Sequence, residues 1–116
     1  MNLTPGEIMA GLTKQNRLVT AKNDEYQELI AKRAEAERVY NIAVSEKTIS
    51  LRMSDTPVTL IDKQVKGDKT IAKLKFDFDV AQGVEKACLL SIKAAMSAID
   101  TYRSLLSWLK AELQSK

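Results

Sequence analysis

Few residues in this chain have the types and spacing to do chemistry. Asp77 and Asp79 stand two apart in K-L-K-F-D-F-D-V, and paired carboxylates can share a proton or hold a cation. On a helix, however, positions i and i+2 do not face each other, so the pair reads as solvated charge flanking Phe78. Cys88 is the single cysteine and the chain has no histidine. An intramolecular disulfide is impossible, and Cys/His metal sites and histidine acid–base chemistry are excluded. Without a nearby base a thiol makes a poor nucleophile, and Cys88 reads as a buried structural thiol. No catalytic residue, cofactor or metal ligand is expected, and the chain is read as not an enzyme.

The lysines offer a second chemistry, contact with phosphate. Lys63, Lys66, Lys69 and Lys73 are spaced to form one basic ridge, and Lys14, Arg17 and Lys22 form another with no acid between Glu7 and Asp24. Such ridges bind nucleic-acid backbones without reading sequence. Acids at 62, 68, 77 and 79 interleave with the first ridge, the net charge is only +3, and no recognition-helix or stacking-aromatic pattern is present. Solvated helix faces are the simpler reading, with nucleic-acid contact as the alternative.

The elements that must position these residues are helices. Gly (4) and Pro (2) are too scarce for a loop-rich or β-rich fold, and hydrophobic residues at 45% are enough for a core. Thr4 is placed as an N-cap, Pro5 as the first helical residue and Glu7 at capping-box spacing, while Gly6 and Gly11 weaken the first turns. A first helix is expected over about 5–50. Leu12, Val19, Tyr26 and Tyr40 recur at multiples of seven, with Arg33 in the missing place, and Leu29, Ala36 and Ala43 form a second row. The polar stretch 13–23 is the place where this helix is expected to fray or kink.

Residues 51–68 form a connector. Ser54, Asp55, Thr56 and Pro57 break the first helix, and Val58, Ile61 and Val65 make a short amphipathic helix over 57–66, with Asp68 positioned to cap the next helix. A second long helix is expected over about 69–114. Ile71, Phe78, Ile92, Ile99, Leu106 and Leu113 share one heptad row, with Glu85 the exception. Leu74, Ala81, Cys88, Ala95, Tyr102 and Leu109 fill the adjoining row. Glu85 sets register, pairs with a basic group such as Arg33, or lines a cavity. The alternation over 73–80 also fits a strand, paired in a small hairpin with 58–61.

One domain over 1–116 is expected: an all-α, antiparallel two-helix hairpin, coiled-coil-like, with a short connector helix. The second helix carries more apolar surface than one neighbour covers, centred on 87–99 and 105–113. Hairpins are therefore expected to assemble into a helical bundle, as a dimer or tetramer, through Leu89, Ile92, Met96, Ile99, Leu105, Leu106, Trp108, Leu109 and Leu113. The alternative cover is the connector helix, folded back within the chain. Met1–Ile8 has no charged leader before an apolar core, no apolar run approaches the about 20 residues of a membrane span, and a membrane-surface role lacks basic residues. The expected setting is cytoplasmic.

The compact size, the connector T-P-V-T-L-I-D-K-Q-V-K-G-D and the Ser/Ala/Leu-rich final helix resemble small helical proteins encoded by phages and prophages of Gram-positive bacteria. That resemblance implies an accessory factor of particle assembly or of DNA metabolism, acting in the host cytoplasm through another phage or host protein, and assigns no functional residue. The leading expectation is a non-enzymatic, self-associating interaction protein; the alternative is a nucleic-acid-binding accessory in replication or recombination.

Overall fold

The computed structural model describes residues 3–115, and the described residues are all-α, with no strand among them. Three helices follow in order: α1 (Pro5–Met53), α2 (Val58–Gly67) and α3 (Lys69–Gln114). Of the stretch read for a leader, Met1 and Asn2 lie outside the described residues. Residues 73–80 are helical, and the alternation of K-L-K-F-D-F-D-V is resolved as two i,i+4 ion pairs, Lys73–Asp77 at 2.6 Å and Lys75–Asp79 at 3.3 Å. The stretch 13–23 is also continuous helix. There the Thr13 and Thr20 hydroxyls donate to the carbonyls of Met9 and Asn16, so their polarity is absorbed by the helix's own backbone.

The helix ends follow from local chemistry. The Thr4 hydroxyl accepts the Glu7 amide at 3.1 Å, satisfying one of the orphan donors of the first turn. α1 runs three residues beyond the expected Ser50. Asp55 adopts φ 58°, which lets the Thr56 amide reach the Leu51 carbonyl and the Asp55 amide reach that of Arg52. This is the Schellman arrangement, built here on aspartate instead of glycine. α2 starts after Pro57, which sits at the N-cap and not in the first turn as expected. Asp68 then serves two helices. Its amide donates to the Val65 carbonyl at the end of α2, and its carboxylate accepts the Ile71 amide at 3.0 Å to cap α3.

Packing falls into two compact units. One comprises Met1–Gln27 with Ala87–Lys116, the other Glu28–Lys86. In the first, α1 and α3 run antiparallel: Gly11 meets Tyr102, and further along α1 the Lys22 carbonyl receives the Cys88 thiol at 3.6 Å. Ile8, Cys88, Ile92, Ala95 and Ile99 are its buried side chains. Each large aliphatic among them, removed from water, contributes about 1.5–3 kcal/mol. Gly11 is required by close approach. A methyl group built on it would lie 2.5 Å from a Tyr102 ring carbon.

In the second unit the partners again run antiparallel. Arg33 meets Glu85, and the Tyr40 and Phe78 rings lie 6.2 Å apart between centroids. Ile61 and Val65 of α2 pack with Ile71, against Tyr40, Ala43, Val44 and Leu51. Val58 shares that face but is 85% exposed, because it stands at the very start of α2, one turn before Ile61 and two before Val65. The heptad rows read from α3 coincide with its covered side: five of their positions are buried and the others down to Leu109 half-buried, Glu85 included.

Candidate functional site

Among the residues weighed for chemistry, the carboxylates are already engaged. Asp77 and Asp79 each accept a lysine one turn earlier and do not converge. Among the described residues no cluster of three or more acidic, cysteine or histidine side chains gathers that could hold a metal ion. The Cys88 thiol is buried and donates to a backbone carbonyl. That contact orients it without activating it as a nucleophile.

Glu85 faces Arg33. The guanidinium Nε lies 2.8 Å from Glu85 Oε2, Nη2 lies 3.5 Å from Oε1, and Nη1 reaches Glu37 Oε2 at 3.1 Å. The forked contact to Glu85 is the bidentate geometry that arginine favours. Hydrogen bonding to Glu85 and its charge, then Glu37, hold the Arg33 guanidinium still more firmly protonated. The pair fixes the register of α1 on α3 within its unit.

The basic ridges are divided and largely neutralised. Lys63 and Lys66 belong to α2, Lys69 and Lys73 to α3, with Asp68 in extended conformation between them. The helical spacing that would align all four therefore stops at Gly67. Lys66 pairs with Asp62 at 3.1 Å, Lys73 with Asp77 and Lys22 with Glu25 at 3.0 Å. The hydrogen bond that Lys22 donates to Glu25, and the Glu25 charge, raise the Lys22 pKa. Lys14, Arg17, Lys63 and Lys69 make no ion pair among the described residues, but they sit on three different helices.

The expected interface set separates into two groups. Ile92 and Ile99 are buried within the single chain, and Leu89, Leu105, Leu106 and Leu109 are half-buried. Met96 is 53% exposed, Trp108 63% and Leu113 68%, and Leu90, also read as apolar surplus, is 60% exposed. The two buried side chains of the connector helix, Ile61 and Val65, pack with Ile71 against Tyr40, Ala43, Val44 and Leu51. These four apolar side chains of α3, Leu90, Met96, Trp108 and Leu113, stand exposed to water.

Comparison with protein-family models, curated proteins and solved structures finds no match to this chain. No helix among the described residues is long and apolar enough to cross a membrane.

Proposed function

We propose that this chain is a non-enzymatic, self-associating helical protein, an antiparallel coiled-coil-like hairpin that pairs with a second copy into a bundle. The observation that carries this reading is the exposure of Leu90, Met96 and Trp108 on a helix whose own seam is covered down to Leu109, and of Leu113 where that seam ends. Left in water, such side chains cost a folded chain solubility; a second copy removes them from it. Together with the resemblance to small phage and prophage proteins, this favours an accessory or assembly factor working in the host cytoplasm.

Multi-angle light scattering at micromolar concentration tests the reading. A dimer or tetramer is the expected result, and a stable, monodisperse monomer overturns it. The nucleic-acid alternative loses support from the pairing of Lys22, Lys66 and Lys73 with acids on their own helices. It predicts retention on a DNA or RNA column at about 50 mM salt that falls steeply as salt rises.

A further inference from the structure

One cleft lies wholly within the Glu28–Lys86 unit and is lined by all three helices. Its volume is about 420 Å³, within the range of pockets that hold small ligands. The joint between α2 and α3 opens it. α2 ends at Gly67, Asp68 is extended, and α3 begins at Lys69. Ala72, at the end of the first turn of α3, lines the cleft with only a methyl group where a larger side chain would fill the space.

The lining is apolar below and charged at the rim. Val65 and Ile71 are buried and pack with the half-buried Tyr40 in one cluster, so this floor is already in place before anything binds. Phe76, which also lines the cleft, is 60% exposed. A phenyl ring left in water beside a concave apolar floor is surface that a ligand would cover.

The charges decide which ligand. Lys66 of α2 and Lys75 of α3 both line the cleft, against one carboxylate, Asp79. The two aromatic faces are each approached by an ammonium of the chain itself: Lys73 Nζ lies 5.2 Å from the Phe76 ring centre and Lys75 Nζ 6.0 Å from that of Tyr40. The rings therefore offer little to a cationic ligand, which would also meet the lysines. Lys66 is held by Asp62 and Lys75 by Asp79, both as exposed i,i+4 pairs. Exposed pairs of this kind hold their partners weakly, so either ammonium can turn to an incoming anion. The end of α2 and the start of α3 meet at this joint with helix dipoles of opposite sign, which offset each other and leave the lysines to set the preference.

We propose that this cleft binds a small carboxylate with an apolar body. The body lies against Val65, Ile71 and Phe76, and the carboxylate is taken by the ammonium groups of Lys66 and Lys75. The site is separate from the self-association proposed above and does not depend on it.

Calorimetric titration of the full chain tests this with two probes of one shape and opposite charge, octanoate and octylammonium. Octanoate is expected to bind saturably and at least tenfold more tightly than octylammonium. Ala72→Phe, which fills the cleft, is expected to weaken octanoate binding at least tenfold. The double variant Lys66→Gln with Lys75→Gln changes only exposed side chains. It is expected to keep full helix content by circular dichroism and to lose the preference for octanoate. No saturable octanoate binding to the wild type, equal affinity for the two probes, or a preference that survives the double lysine variant overturns the proposal. Light scattering on the same samples reads self-association separately, so the failure of either reading is recognised on its own.

Discussion

The Arg33 guanidinium of α1 meets the Glu85 carboxylate of α3 at 2.8 Å, a half-buried ion pair standing at a position where the rest of the α3 row is apolar. Breaking such a pair strands one charge, whereas replacing both partners removes the problem. Glu85→Leu is expected to lower the melting temperature. Arg33→Leu with Glu85→Leu is expected to restore it to the wild-type value or above. Thermal unfolding of the two single variants and the double checks this, and a double variant less stable than either single one contradicts it.

Gly11 and Tyr102 make a prediction whose sign depends on background. In the wild type, Gly11→Ala forces the Tyr102 ring aside, and overpacking of this kind costs about 1–3 kcal/mol. With Tyr102→Ala in place the obstruction is gone, and the same change is expected to stabilise by up to about 1 kcal/mol through helix propensity. Urea unfolding of the four chains in the cycle reads both values.

Asp68 makes stability depend on pH. The hydrogen bond from the Ile71 amide, foremost, and the Lys47 charge hold its carboxyl below the ordinary 3.8, against a smaller opposing effect of burial. A carboxylate depressed by folding adds stability above its unfolded pKa and loses it as pH falls through the folded value. Asp68→Ala should therefore be less stable than wild type at neutral pH. The gap should narrow as pH drops below about 4, where the wild-type carboxyl takes up its proton. Melting temperatures of both chains across that range test it; a gap that is constant with pH rules the carboxylate out as the cause.

The seam itself is tested by a pair of charge substitutions. Ile99 is buried, and Ile99→Asp places an unpaired charge there at a cost of about 3 kcal/mol or more. Lys110 is exposed, and Lys110→Asp should change stability by no more than about 0.5 kcal/mol. Equal effects in denaturant unfolding would contradict the placement of the seam.

The all-α fold was readable because several local signals agree. The unbroken row from Leu74 to Leu109 marks the side of α3 that packs, and Thr4 and Asp68 cap where their side chains suggest. Elements that depend on a distant partner or on backbone torsion were not readable. The extra turn of α1 rests on the left-handed conformation of Asp55, a residue that adopts it less readily than glycine. Gly11 reads as a weak point until Tyr102 is set against it. The alternation at 73–80 supports a strand and two i,i+4 ion pairs equally well, and only the heptad running through Leu74 and Phe78 favours the helix.

Cys88, held against the Lys22 carbonyl, gives the chain a built-in clock. A thiol reagent in solution reaches the sulfur only when the packing of α1 on α3 around it opens. The rate of labelling therefore counts openings, and where closing outpaces reaction it reports the free energy of that local opening. The Cys88 sulfur becomes, for the experimenter, the measure of how often the fold lets go.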